Sequence, residues 1–235
     1  MIHQKQQQAS LSSQSGFTIV ESLVAVVVVG ILLVAIAPVI ILSIATRLQA
    51  KRIELATNAA QTYIDGIKSS TIPSPPIITK STEDTTNLPS PDAPSGTLTC
   101  PTTGTGLCEI SPTNASSQLY CVDGDTGGCT TNNFKDMIVQ GFGYNPTSNK
   151  PENGYRLGLR VYRADAFNKP SITLKALKDP GIKQAETFAK GTALISIQAP
   201  LVEMTTEISN KVTTFSDFCR RLKPPASDSN PQSNC

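Results

Sequence analysis

The residues of this chain whose types and spacing could do chemistry are few, and one group of them lies near its start. In Ser15-Gly16-Phe17-Thr18-Ile19-Val20-Glu21-Ser22 a small residue precedes an apolar one, and a single carboxylate follows. The chemistry on offer is cleavage of the Gly16–Phe17 peptide bond. It would free an ammonium on Phe17, with Glu21 further along the same helix. In a secretory signal the small residues follow the apolar region, which is discarded with the leader. Here the cut lies before the apolar run, so the run is kept. From Ser22 to Thr46 no residue is charged, and Gly30 and Pro38 interrupt a stretch rich in Val, Ile, Leu and Ala. As a helix rising ~1.5 Å per residue, it is long enough to cross ~30 Å of hydrocarbon. A carboxylate at the edge of such a helix costs energy unless it stays near the headgroups or finds a cation, which singles out Glu21.

These residues resemble the class III signal of type IV pilins and pseudopilins: Gly, then Phe, Thr, an apolar pair, Glu, and a long apolar helix. The resemblance implies that a membrane-embedded prepilin peptidase cuts after Gly16 and methylates the new N-terminus on Phe17. It implies that Glu21 pairs with the N-terminal ammonium of a neighbouring subunit during assembly. Pro38 falls where many members of the family carry a helix-kinking proline. Expected partners are other pilin or pseudopilin subunits, met through the N-terminal helix, the peptidase, and the membrane. The implied location is a single pass through the plasma membrane with the head in the periplasm, and then a pilus-like filament.

The remaining chemistry is narrow. Residues 1–16 read as a cleaved leader and hold His3, the single histidine of the chain. Its removal excludes Ser-His-Asp and Cys-His catalysis and the usual zinc site. No pair of carboxylates stands in a setting that suggests acid–base work, so no enzyme and no cofactor is expected. The formal net charge of +2 is too small for a nucleic-acid surface. Cys100 and Cys108 share the spacing of Cys121 and Cys129, and Cys219 and Cys235 stand further apart near the C-terminus. Six cysteines with turn-rich spacers suit three local disulfides in those pairs, although other connectivities remain open. The last pair also resembles the disulfide-bounded C-terminal region of many pilins. Asp123-Gly124-Asp125-Thr126-Gly127-Gly128 admits two readings. Alternate carboxylates with glycines can wrap calcium, but a full calcium loop has further oxygen positions and a distal bidentate Glu that this stretch lacks. A Gly-rich turn inside a disulfide is the favoured reading.

Around these sites the elements follow from periodicity. Residues 17–46 form the transmembrane helix. Residues 47–70 continue it as an amphipathic segment, with Ile53, Ala56, Ala60, Ile64 and Ile67 at helical spacing. The helix is expected to kink or melt at Pro38. Residues 71–99 are rich in Pro, Ser and Thr and read as a stiff or partly disordered linker. Residues 100–235 form the head. Tyr155–Arg163 alternates Leu157, Leu159 and Val161 against Arg156, Arg160 and Tyr162, which predicts a half-buried antiparallel strand. Residues 193–197 and 201–208 read as two more strands, and Phe134–Tyr144 as strand or short helix. Arg156 and Arg160 are expected near Glu203 and Glu207 across the sheet. Lys169, Lys175, Lys178, Lys183 and Lys190 read as a solvated excursion.

The fold class expected is α+β: a long N-terminal membrane-spanning helix packed on a small antiparallel sheet, with a disulfide-stapled head. The packing is implied by the pilin resemblance; helix, strands and linker come from spacing. The run from Ala45 to Thr57, Gly154–Asp165 and Ala199–Glu207 also resemble the hormogonium polysaccharide secretion pseudopilins of the HpsB type, from filamentous cyanobacteria. That likeness implies a minor pilin or pseudopilin in a type IV pilus-like machine supporting gliding motility and polysaccharide secretion. The alternatives are a major pilin of a long fibre and a membrane-anchored module that binds the exported polysaccharide.

Overall fold

The computed structural model describes residues 18–79, 91–101, 106–112, 116–168, 173–176 and 197–222. The chain divides into two compact units, one ending at Gln49 and the other beginning at Ala50. Helix α1, Ile19–Lys68, runs through that boundary. It is continuous through Pro38, so the expected melted turn is not found. A proline removes one hydrogen bond, and the turns on either side keep theirs.

The second unit is a seven-stranded sheet laid on the last turns of α1. Its strands are β1 (Ile77–Ile78), β2 (Thr97–Thr99), β3 (Leu107–Ser111), β4 (Gln118–Val122), β5 (Met137–Tyr144), β6 (Tyr155–Arg163) and β7 (Val202–Ile208). The order is β2-β3-β4-β5-β6-β7, antiparallel throughout. β1 pairs in parallel with β5 at Gly143 and Tyr144, just beyond Gly141, where the pairing with β4 stops. Sequence reasoning missed β1 to β4. Two of them, β1 and β2, lie in the segment expected to be a linker, so its described ends belong to the sheet. Of the other predicted strands, residues 193–196 lie outside the described residues. So do Lys169, Lys178, Lys183 and Lys190 of the expected excursion.

The face of α1 that meets the sheet is Ala56, Ala59, Ala60, Tyr63 and Ile67. They pack on Met137, Val139, Leu157, Leu159 and Val161. This corrects the expected stripe: Ile53 is exposed, and Tyr63 lies in the core. Three alanines let the helix come close. Gly141 completes the fit, because a Cβ there would run into the Tyr63 ring and hydroxyl. The Tyr63 hydroxyl donates to Gln118 Oε1 at 2.8 Å. Burial, with Tyr155 adding to it, raises the Tyr63 pKa far above its ordinary value and keeps the proton on the donor.

The opposite face of the sheet is also covered, which corrects the half-buried reading of β6. Leu98, Ile110, Leu119, Cys121, Cys129, Ile138 and Ala164 form a second core. Tyr162, Ala166 and Leu174 form a third. Among them Arg160 is fully buried. Its Nη1 donates to the Pro91 carbonyl at 2.7 Å and to Gln140 Oε1 at 3.2 Å. Its guanidinium stands 5.2 Å over the Phe142 ring. Gln140 in turn donates to the Asp92 carbonyl at 2.8 Å. The register sets Arg160 opposite Glu203 and Arg156 opposite Glu207. Both are ion pairs, at 3.3 Å and 3.0 Å.

The two pairs differ in setting. Arg160–Glu203 has its cation out of water, whereas both side chains of Arg156–Glu207 are solvated. Stripping one partner from a buried pair costs ~3–5 kcal/mol, and an exposed pair contributes ~0.2–1 kcal/mol. Arg160→Leu is therefore expected to destabilise the head several times more than Arg156→Leu. Chemical denaturation of the two variants checks this, and equal losses would contradict it.

Candidate processing and assembly site

Gly16 and Phe17 lie outside the described residues, and the site is seen from Thr18 onward. Thr18 caps α1. Its Oγ1 accepts the Glu21 N–H at 3.3 Å, and its carbonyl accepts the Ser22 N–H at 3.1 Å. Thr-Ile-Val-Glu thus has the residue types of a capping box. Glu21 sits in the first turn, where the unsatisfied N–H groups of the helix favour a carboxylate. It is exposed, as are the apolar side chains that follow it. Ile19 is 85% exposed and Val34 is 75% exposed, so their own chain gives them little cover. α1 is long and apolar enough to cross a membrane.

The cysteines lie in the second unit. Cys100–Cys108 is a disulfide joining the end of β2 to β3, and Cys121–Cys129 joins β4 to the loop after it. Cys219 lies on α2 (Phe215–Leu222) and is disulfide-bonded as well. Its expected partner, Cys235, is outside the described residues. α2 opens with a reciprocal cap: Thr214 N–H donates to Asp217 Oδ2 at 3.0 Å, and Asp217 N–H donates to Thr214 Oγ1 at 3.2 Å.

The loop between β4 and β5 holds Asp123 and Asp125, and it brings Asp136 to them. Sequence reasoning missed Asp136, whose signal was an acid placed directly before an apolar strand. All six carboxylate oxygens accept N–H groups. Asp123 takes those of Asp125 at 2.8 Å and Gly128 at 2.9 Å. Asp125 takes Gly127 N–H at 2.9 Å and Asn133 Nδ2 at 3.0 Å. Asp136 takes Gly124 N–H at 3.1 Å, Thr130 N–H at 2.9 Å and Asn133 Nδ2 at 3.1 Å. Lys135 Nζ lies 3.8 Å from Asp125. With these donors in place, the acids serve a structural purpose and hold the Gly-rich turn in shape.

The environments of the acids differ. The Gly127 N–H, and after it Asn133, hold the Asp125 carboxyl below its ordinary pKa. Burial pushes Asp136 above its ordinary value, against the pull of its N–H donors, and the charges of Asp123 and Asp125 push the same way.

Residues 11–37 match the family model described as the prokaryotic N-terminal methylation motif. No curated protein and no solved structure matches the chain. The motif supports a subunit of the type IV pilin or pseudopilin kind, which assembles with other pilin subunits after prepilin peptidase processing. Such subunits are structural rather than catalytic. The apolar helix and the signal together fit a membrane-anchored pilin.

A carboxyl whose pKa is raised by folding contributes most when protonated. Its contribution is full below the ordinary carboxyl range and declines as pH rises through the raised value. Asp136→Asn removes that titration and disturbs the N–H acceptors, at a cost of ~1–3 kcal/mol. The stability gap between the parent and Asp136→Asn is expected to narrow as pH rises from acid to neutral. Thermal unfolding across pH measures it, and a widening gap would refute the assignment.

Proposed function

We propose that this chain is a minor pilin or pseudopilin, cut between Gly16 and Phe17, methylated on Phe17, and drawn into a short filament by α1. The observation that carries this reading is the methylation motif at residues 11–37, which leads straight into a helix with exposed apolar side chains. In the mature protein Glu21 would be the fifth residue, and a neighbouring subunit's N-terminal ammonium is its natural counter-ion in a dry helix bundle. Pro38 lies within the same contact surface.

The machine we assign it to is a type IV pilus-like one that supports gliding motility and polysaccharide secretion. Support comes from the likeness of the sequence at Gly154–Asp165 and Ala199–Glu207 to that of the hormogonium pseudopilins. A head placed on the periplasmic side is supported by the disulfides, which persist in oxidising compartments. Arg47, Lys51 and Arg52 after the span pull the other way, because basic residues prefer the cytoplasmic side. The leader supplies only Lys5 against them. We give the processing motif and the disulfides the greater weight.

Mass spectrometry of the native protein tests the processing step. We expect an N-terminal methyl-Phe17, and Gly16→Val should leave the leader in place. Native protein that still carries Met1 would overturn the reading. For assembly, Glu21→Leu should insert into the membrane normally and yet be depleted more than about tenfold from sheared filaments, since an ion pair broken in a dry interface costs ~3–5 kcal/mol. Undiminished incorporation would remove Glu21 from the mechanism.

A further inference from the structure

We propose that a cleft on the helix-bearing face of the sheet binds a neutral polysaccharide chain. β3 pairs with β4 at Leu107 and Cys108 and then parts from it. Beyond that point Glu109–Ser111 pair with β2, and Gln118 pairs with β5. These parted segments line a cleft of about 910 Å³, which Ser74, Pro76 and Pro94 help to wall. That is at the upper end of the ~300–1,000 Å³ usual for ligand sites. The register decides what faces it. Gln118 and Tyr120 turn toward α1, where both meet Tyr63. Leu107 stands opposite Tyr120, Thr99 opposite Glu109, and Thr97 opposite Ser111. Side chains alternate along a strand, so Thr97, Thr99, Glu109 and Ser111 share that face. α1 packs on β5 and β6 and leaves these four exposed. They make no hydrogen bond or ion pair among the described residues. Gln118 is held differently: the Tyr63 hydroxyl occupies its Oε1, which leaves its Nε2 to donate.

This set of groups selects its ligand. The hydroxyls both give and accept hydrogen bonds, the amide gives, and the carboxylate accepts. Glu109 is the one charged side chain among the described lining residues, so an anionic polymer meets a like charge and no cation. The hydroxyls of a neutral sugar match these donors and acceptors, and its C–H faces match Leu107, Pro76 and Pro94. A peptide fits less well, because an added strand needs a run of open backbone groups. The Gly106 carbonyl accepts the Cys121 N–H at 2.7 Å, so Gly106, Cys108 and Ile110 turn their backbone groups toward β4. Past Cys108 that leaves Ile110 alone within β3 to face the opening, too little to seat a strand. The inference rests on the polysaccharide-secretion reading above for the origin of the chain it binds.

The test uses the full-length chain in a sugar-free detergent, since a maltoside headgroup would compete. The chain is applied to an array of gluco-, galacto-, manno- and xylo-oligosaccharides, with uronic-acid oligomers, muropeptides and random hexapeptides alongside. We expect retention of at least one neutral series, and calorimetry then gives its Kd. Glu109→Gln should weaken binding about tenfold and Thr99→Val about threefold, each with the thermal unfolding of the parent. Lys150→Gln, outside the cleft, should leave binding unchanged. Failure to retain any neutral oligosaccharide, or equal affinity in the parent and Glu109→Gln, overturns the proposal. A preference for the acidic sugars or the peptides overturns it as well. Glycan binding alongside normal polysaccharide export by cells lacking the chain supports the cleft and overturns the secretion reading. Lost export without glycan binding does the reverse.

Discussion

Water is a poor solvent for the first half of α1, and much of this chain follows from that constraint. A helix uncharged from Ser22 to Thr46 exposes Val, Ile and Leu all round. A helix that is hydrophobic on every side belongs in a bilayer or among copies of itself. Its backbone groups satisfy one another, so the sole polar obligations are at its ends. At the N-terminal end Thr18 meets one of them by capping, and Glu21 is placed where the helix dipole favours it.

The second half of the same helix faces the opposite demand. It must bury one side against a single sheet, and it does so with small residues. Ala56, Ala59 and Ala60 bring the helix axis close to β5 and β6, and Tyr63 reaches over Gly141 to Gln118. The contrast between large apolar residues in one half and alanines in the other records two kinds of partner. One partner is hydrocarbon or other helices, to which side chains of any size can conform. The other is a fixed sheet surface, where a methylene too many is costly.

How far the sequence revealed this depends on how local the signals were. β6 and β7 were legible because they alternate cleanly, and the Arg156–Glu207 and Arg160–Glu203 pairs followed from that alternation. β2, β3 and β4 were not, because they are short and their Thr, Ser and Cys residues resemble turn sequence until disulfides and neighbours fix them. The burial of Arg160 was out of reach for another reason. Its main acceptor is a backbone carbonyl, that of Pro91, in a stretch whose composition reads as linker. A main-chain oxygen leaves no trace in side-chain pattern. The same holds for the acidic loop: Asp123 and Asp125 are visible as a motif, but Asp136 joins them by the turn that their N–H acceptance creates. Gly16 and Phe17 stand at the other extreme, since their evidence is wholly in the sequence.

The buried arginine also explains why the 71–99 segment contributes to the sheet rather than standing apart from it. A guanidinium enclosed in a protein is tolerable only when its donors are met. Glu203 supplies the charge, but its 3.3 Å approach lacks hydrogen-bond alignment. The donors must find other acceptors, and the Pro91 carbonyl and Gln140 provide them. Gln140 is then anchored by the Asp92 carbonyl and Ser117. Proline suits this arrangement, because its ring fixes the backbone and so aims the carbonyl. The need to satisfy one charge thus ties the residues at 91–92 to the middle of β5 and β6. From there the chain enters β2, whose pairing with β3 the Cys100–Cys108 disulfide reinforces.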